Sequence, residues 1–499
     1  MRHVLVRADA NSQIGLGHVL RTMAVADELA RTGTRITYLC GTVTPWAMTQ
    51  LRERNFGVEM LDPVPSSDQL QDAHATLRII ERLGIDAVLL DHYGLKGEWT
   101  ALVKAQSGRF ISAFDDLASD ARRLDLLIDT SPARRASEYV GLIPEEAICL
   151  AGPVYAPLRP EFAMARQAQR PETNARCRVA ISMGGVDPSG VTLTCLEALD
   201  GRSDVELTVI LSSAAQMLEA TKERVAQMKT PTCLLLDRTD MASVLKDMDL
   251  VIGAGGTSAL ERCALGLPSV LAVLADNQIF NANSLADADA AVLLPELSEK
   301  AVRDTVTPML ADAGFRSGMG ERAAQLCDGM GAPRVALAIL AHHSGVFLRR
   351  AELDDMERVH DWQSEPNARQ FARTSQVPTR AEHEAWFHAR LAKCDQNPFY
   401  IIVVNGVDAG FVRLDQTDEA RTAEVSILVP RAAQGQGIAR TALGLLRLTH
   451  PRRHIVAEVH PENTASQRLF ENAGYNRCAA HRFASAGWPE TVERQRHED

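Results

Sequence analysis

The chain has 499 residues, 46% hydrophobic and 23% charged, with a formal net charge of −11 and nine cysteines. That length holds about three domains, and the acidic balance excludes a protein that wraps a nucleic-acid backbone, though not a local basic pocket for a small anion. The cysteines lack close CxxC spacing, the N-terminus enters a strand without a secretory leader, and no apolar run is long enough to span a bilayer. A reducing, cytoplasmic setting without membrane insertion is expected.

Short β-rich runs alternate with helical stretches over residues 1–150. Strands are expected at Val4–Arg7, Arg35–Leu39, Ala87–Leu90, Phe110–Phe114 and Leu126–Ile128. Between the first two, Val19–Ala30 places Leu20, Met23, Ala24 and Leu29 on one helical face, with Gly33 as the C-cap. Such alternation predicts a parallel sheet covered on both faces, with chemistry at the carboxyl ends of its strands.

A second unit of the same type begins at Cys177. Val179–Met183 reads as a strand, Gly184-Gly185 as a turn, and Leu193, Leu196 and Leu199 as one helical face. Strands at Val205–Leu211, Thr232–Leu235, Leu250–Ile252 and Ser269–Val273 continue the pattern. Pro157, Pro160 and Pro171 mark the polar segment Pro153–Arg178 as a hinge or crossover, and a cleft between two such lobes suits an elongated ligand. Near residue 345 the texture changes. Val346-Phe347-Leu348-Arg349 opens a unit with helices at Leu353–His360 and Glu382–Lys393. Strands follow at Tyr400–Val404, Ala409–Leu414 and Glu424–Val429, then a helix and a strand at Ile455–Val459. This is an α+β pattern. The domains expected are therefore 1–155, 156–342 and 346–490.

Two glycine-rich turns carry the chemistry. In the first, Val4–Asp9 runs into Gly15-Leu16-Gly17-His18 at the start of a helix, where backbone N–H groups collect around an anion. The positive end of that helix disfavours imidazolium, so His18 reads as a neutral ring able to act as a general base. The other reading is a tight turn with a locally packed histidine. In the second, Ile427-Leu428-Val429 runs into Gln434-Gly435-Gln436-Gly437-Ile438-Ala439-Arg440 and a helix through Leu443, Leu445, Leu446 and Leu448, a cradle for a pyrophosphate.

The N-terminal segments resemble a family, the UDP-sugar hydrolases of pseudaminic acid biosynthesis, whose relatives include MurG-like glycosyltransferases of two-lobed GT-B fold. The resemblance rests on Arg7-Ala8-Asp9, Gln13-Ile14-Gly15-Leu16-Gly17-His18 with Arg21, Leu90-Asp91-His92-Tyr93 and Phe114-Asp115-Asp116-Leu117. It continues through Ser182–Pro188, Gly253-Ala254-Gly255-Gly256-Thr257-Ser258 with Glu261, and Pro268 with Asp276-Asn277-Gln278. It implies two doubly wound Rossmann-like lobes and hydrolysis of UDP-2,4-diacetamido-2,4,6-trideoxy-β-L-altropyranose, with inversion. His18 would activate the attacking water, and Asp9 and Tyr93 would assist it. Gly17 and Arg21 would contact substrate. Gly184, Gly185, Gly255, Gly256, Thr257 and Ser258 would hold the pyrophosphate, Glu261 the ribose, and Asn277 and Gln278 sugar or phosphate. No metal is required; Asp115-Asp116 more often cap a turn or bind a hydroxyl. The alternative is sugar transfer to an acceptor, for which Trp46 and Met48 offer part of an apolar face.

The C-terminal segments resemble the GNAT N-acetyltransferases. Gln434, Gly437 and Ala439 match the acetyl-CoA signature, and Glu458-Val459-His460, Asn463, Ala465-Ser466, Leu469-Phe470 and Ala473-Gly474-Tyr475 match the family's closing strand, helix and turn. The resemblance implies acetyl-CoA as cosubstrate, bound by Leu428, Val429, Gln434–Arg440, Asn463 and Ser466. Glu424 would be the base, with His460 as competitor. Phe470 stands where relatives place a proton-donating tyrosine, leaving Tyr475, Ser466 or water for that role. Trp362, Glu365, Arg369 and Trp386 are further candidates for gripping a nucleotide-sugar. Joined, the two resemblances imply consecutive steps of one pathway, acetylation of a 4-amino UDP-sugar and then its hydrolysis. The alternative is a UDP-sugar glycosyltransferase fused to an acetyltransferase with another amine acceptor. Small-molecule UDP-sugars are the expected partners in either case.

Overall fold

The computed structural model describes residues 3–11, 15–61, 68–166, 176–184, 187, 189–343, 345–366, 368–394, 396–419, 421–450 and 453–485. By its contacts the chain divides into a unit over residues 2–336 and another over 337–499.

The first unit holds two sheets. One contains β1 (His3–Ala8), β2 (Arg35–Cys40), β3 (Gly57–Met60), β4 (Ala87–Asp91), β5 (Phe110–Phe114), β6 (Leu126–Asp129) and β7 (Ile148–Ala151), in the order 3-2-1-4-5-6-7. All its pairings are parallel. Every residue of β1, β4 and β5 is buried, as expected for strands covered on both faces. The other contains β8 (Cys177–Ser182), β9 (Val205–Leu211), β10 (Thr232–Leu236), β11 (Leu250–Ala254), β12 (Ser269–Ala272) and β13 (Val292–Leu293), in the order 10-9-8-11-12-13. Alternate residues of β8 supply opposite cores: Val179 and Ile181 pack with Val209 and Ile252, and Ala180 packs with Ile210 and Val251. In both sheets the strand order reverses beside the first strand, between β1 and β4 and between β8 and β11. Ligand crevices open at such switch points.

Several elements differ from expectation. β3, β7 and β13 are not among the expected strands: all three are sheet edges, β3 and β7 partly exposed and β13 two residues long. The helix expected at Val19 starts at Gly17, and its C-cap is Thr32, with Gly33 one residue beyond at φ +84°. The expected hinge is partly built into the second lobe: Ala156, Leu158 and Phe162 join its core, and Pro160–Arg166 is helical. Residues 167–175 of that segment lie outside the described residues.

The second unit contains β14 (Val346–Arg350), β15 (Phe399–Val404), β16 (Val407–Gln416), β17 (Thr422–Leu428), β18 (His454–Glu458), β19 (Tyr475–Ala479) and β20 (Arg482–Ser485), in the order 14-15-16-17-18-20-19. Its one parallel pair, β17 with β18, spans Thr422↔His454 to Glu424↔Val456 and then ends, while β17 stays paired to β16 as far as Leu428. The two strands thus splay beyond Glu424. Val359, Trp362, Phe387, Phe399, Ile401 and Phe411 form the core beneath.

Candidate active sites

In the first lobe, His18 sits on the first turn of the helix Gly17–Arg31, beyond the carboxyl end of β1, and is 6% exposed. Its Nδ1 meets Asp91 Oδ1, at the end of β4, at 2.5 Å. Burial alone would raise the Asp91 pKa, yet the charges of Arg21 and His18 hold it down to about 2. An ionised Asp91 accepts the Nδ1 proton and leaves Nε2 as the basic nitrogen; Nε2 makes no hydrogen bond among the described residues. Tyr93 stands edge-on to the ring, centroids 4.6 Å apart. Burial and the neighbouring Asp116 push its phenol up to about 12, so it stays protonated as a donor.

Arg21 is buried and lies one helical turn from His18. Its Nε and Nη2 donate to Asp91 (2.6 and 2.8 Å), its Nη1 donates to Asp116 Oδ2 (2.7 Å), and it stacks on Phe114 at 4.6 Å. Its guanidinium is therefore engaged by protein and holds the catalytic candidates in register. Asp9 is likewise engaged away from His18. It accepts from Arg7 Nη1 (2.6 Å) and the Gly41 amide (2.7 Å) and lies 3.2 Å from His92 Nε2. Against the effect of burial, His92 and Arg7 hold its carboxyl well below the usual range. Asp115 and Asp116 divide the two roles open to them. Asp115 caps its own turn through the amides of Leu117 and Ala118 and pairs with Arg122, while Asp116 faces Arg21 and Tyr93. No group of side chains suited to a metal occurs among the described residues.

The second lobe faces this cluster. A Cβ added at Gly17 would lie 4.0 Å from Thr257 Oγ1, so the starts of the helices Gly17–Arg31 and Ser258–Ala264 approach each other across the cleft. Asn277 lies near the Tyr93 hydroxyl. The Arg134 guanidinium lies over the Phe280 ring at 4.3 Å, a second cross-lobe contact. Gly255 and Gly256 pack against Gln278, whose Oε1 accepts from the Leu274 amide (3.0 Å); an added Cβ at Gly256 would lie 3.5 Å from its Nε2. Gly184, at φ +90°, has open space where a side chain would project, whereas Gly185 lies outside the described residues. Ser258 Oγ accepts from Arg262. Burial raises Glu261 to about 7 against the pull of Arg159 and Arg262, and its nearest cation, on Arg159, is 3.7 Å away.

In the C-terminal domain the turn after β17 is open. Gly435 (φ +78°) and Gly437 (φ +77°) both take the left-handed conformation that side chains disfavour, with nothing within 4 Å of an added Cβ. The helix Ile438–Thr449 has no side-chain cap, so the amides of Ile438, Ala439 and Arg440 remain available as anion donors. Gln434 folds back, donating to Val429 O (2.9 Å), and Gln436 reaches Ala432 O. The turn and the splay beside Leu428 fit an extended cofactor ending in phosphates. Asn463 caps the helix Thr464–Asn472 by accepting from the Ser466 amide (3.0 Å). Glu424 lies where the strands part; Arg373 Nη2 bridges it (2.8 Å) and Glu458 (2.7 Å). His460 is exposed and stacks near Phe371 at 5.3 Å.

Phe470 is 4% exposed, packed between Tyr475 and Phe483. Tyr475 is buried with it, and its hydroxyl finds no partner among the described residues. The vacant tyrosine position is thus a core position, and Tyr475 does not face the splay. Trp362 and Trp386 also serve the core, the latter under Arg413. Glu365 instead accepts from the Arg431 amide (3.0 Å), and Arg369 donates to Thr374 O.

Residues 346–476 match the acetyltransferase (GNAT) domain, and residues 191–325 match the glycosyltransferase family 28 C-terminal domain. The chain is a GT-B-like pair of lobes followed by a GNAT domain. Acetyl-CoA is the cosubstrate of the latter. The solved structure of Acinetobacter baumannii MurG aligns with a TM-score of 0.51 at 19% identity, covering 68% of this chain and 99% of its own. Among curated relatives, the spore coat polysaccharide biosynthesis protein SpsG of Bacillus subtilis is 27% identical over 296 residues, 58% of this chain and 83% of that protein. The UDP-N-acetylglucosamine–N-acetylmuramyl-(pentapeptide) pyrophosphoryl-undecaprenol N-acetylglucosamine transferase of a Nocardioides species is 27% identical over 361 residues, 65% and 94%. The UDP-2,4-diacetamido-2,4,6-trideoxy-β-L-altropyranose hydrolase of Campylobacter jejuni is 24% identical over 249 residues, 50% and 83%.

These findings correct the hydrolase expectation and the placement in pseudaminic acid biosynthesis. The family matched over the second lobe is a glycosyltransferase, further transferases of the same description recur among the relatives, and the MurG architecture spans both lobes. The physical reason is that the roles expected of the matching segments are those of a base and a diphosphate cradle. Transfer needs both as much as hydrolysis does, so those residues do not choose the nucleophile. No helix among the described residues is long and apolar enough to cross a membrane.

Proposed function

We propose that the two lobes transfer a sugar from a UDP-sugar to an acceptor hydroxyl, and that the C-terminal domain acetylates an amine. The observation that carries the first half is the Asp91–His18 pair, poised in the cleft opposite the start of the helix Ser258–Ala264. His18 Nε2 takes the acceptor proton as the acceptor oxygen bonds to the anomeric carbon. The bond to the diphosphate oxygen breaks with its electron pair leaving on UDP, a single displacement that inverts the centre. Asp91 stabilises the imidazolium that forms. The amides at Gly255–Thr257, with the Thr257 and Ser258 hydroxyls and the Gly184 loop, take up the charge on the diphosphate. Glu261 accepts from the ribose, and Asn277 and Gln278 border the sugar.

In the C-terminal domain acetyl-CoA supplies the acyl group. Glu424 accepts the amine proton, the amides of Gly435–Arg440 hold the phosphates, and Leu428 and Val429 line the splay. We place the lobes at 1–155 and 156–342 and the acetyltransferase at 346–490, in the cytoplasm, which suits cysteines that are all unpaired. The test is UDP release from UDP-N-acetylglucosamine with and without a panel of hydroxylated acceptors. Release that needs an acceptor and is lost in H18A supports transfer; equal release without any acceptor overturns it.

A further inference from the structure

We infer that Asp116 Oδ1 is an acceptor subsite that receives a second hydroxyl or amide N–H of a sugar acceptor while His18 deprotonates the first. The inference rests on the transfer reading above. Asp116 follows β5, and its side chain is 13% exposed. Its two oxygens are unequal: Oδ2 accepts from Arg21 Nη1 (2.7 Å) and Tyr93 Oη (3.4 Å), while Oδ1 is buried with no hydrogen-bond partner among the described residues. A buried carboxylate oxygen left without a donor is costly, so a ligand that brings one gains in proportion.

The surroundings say which ligand. Tyr93 touches the His18 ring and donates to Asp116 Oδ2, which sets this carboxylate one side chain away from the base. It lies in the lobe opposite the one that holds the diphosphate loops. Two guanidinium groups, Arg21 and Arg134, meet three carboxylates, Asp91, Asp116 and Asp129, so with a neutral His18 the cluster is one negative charge in excess and selects a donor rather than an anion. An acceptor with a single hydroxyl leaves Oδ1 unsatisfied, whereas a polyhydroxylated sugar fills both positions. The specificity is for a sugar acceptor over a simple alcohol or phenol.

Asp116→Asn keeps the shape and an oxygen for Arg21 but turns an amide N–H₂ toward the ligand's donor. UDP-saturated protein is titrated with methyl glycosides and with cyclohexanol, and binding is read by saturation-transfer NMR; transfer from UDP-N-acetylglucosamine is measured in parallel. The expected result is glycoside binding in the unmodified protein that weakens about 10- to 100-fold in D116N, with UDP affinity unchanged and a lower thermal midpoint from the weakened pair with Arg21. Asp116→Glu, which keeps the charge for Arg21, guards against misfolding and is expected to weaken glycoside binding by a smaller factor. Glycosides that bind no better than cyclohexanol, or D116N binding them as well as the unmodified protein, overturn the subsite. So does a D116N loss of UDP affinity in step with glycoside binding, the mark of a purely structural role. Binding that depends on Asp116 but yields no transfer sustains the subsite and refutes the transfer reading.

Discussion

Replacing Asp91 with Asn tests the core of the first site. Asp91 accepts from His18 Nδ1 at 2.5 Å and from Arg21 at 2.6 and 2.8 Å, and its side chain is 1% exposed. The amide presents one oxygen and one N–H₂ to two donors, so one of the two contacts must break. A hydrogen bond to a charged group contributes about 1.5–3 kcal/mol, and at about 1.4 kcal/mol per tenfold its loss from the imidazolium slows transfer roughly 10- to 100-fold. The wrong tautomer, with its proton on Nε2, adds to that loss. Stability falls too, because breaking a buried pair costs about 3–5 kcal/mol; Arg21 retains Asp116, so the lower end applies. The assay is steady-state transfer alongside UDP titration and thermal unfolding. A second variant, D91N with Arg21→Gln, should recover stability without recovering rate. Unchanged kcat in D91N, or recovery of rate in the double variant, would refute the reasoning.

Other consequences can be checked separately. Glu261 titrates near 7 against an ordinary value of 4.5. UDP affinity should therefore strengthen as pH rises through about 7, and E261Q should bind UDP weakly and lose that dependence. Because its folded pKa is raised, this carboxylate lowers stability as pH climbs from about 4.5 past 7; E261Q should unfold at a higher temperature than the parent at pH 8, as calorimetry would show. G437A forces a left-handed φ on alanine, worth about 1–2 kcal/mol, and should weaken acetyl-CoA binding about tenfold by calorimetric titration while sugar transfer is untouched. F470Y should not raise acetylation. It buries a hydroxyl among Tyr475 and Phe483 at a cost of about 1–3 kcal/mol, seen as a lower denaturation midpoint.

The fold was legible in the sequence where β-branched and apolar residues concentrate in the inner strands: β5 and β9 fall at the expected residues, and β1, β4 and β11 within one or two. The edge strand β3 was not, because Gly57–Met60 has no apolar run of its own and is a strand through pairing with β2; the edges β10 and β14, which carry apolar runs, were. The turns bearing His18 and Gly437 were visible because glycine and a helix start leave a local mark. Asp91 and Asp116 were noticed only as parts of motifs. Their roles depend on β4 lying beside β1 and β5 beside β4, long-range pairings that no local pattern encodes; Arg21, with two acids at neighbouring strand ends, was the available hint. Phe470 misled for a related reason. Equivalence in a motif fixed its place in the chain, while its direction came from packing against Phe483, thirteen residues on.

The short ladder between β17 and β18 has a consequence for how the acetyltransferase can be watched. Only Thr422–Glu424 are held by both neighbours, so the amides of Val425–Leu428 that point away from β16 lack a strand partner on that side. Backbone deuterium uptake there should be fast in the protein alone, in contrast to Thr422–Glu424 a few residues earlier. A cosubstrate lying in the gap would act as a surrogate strand, and the uptake curve of this one tetrapeptide would then report occupancy without turnover, without a label, and without knowing which amine is acetylated.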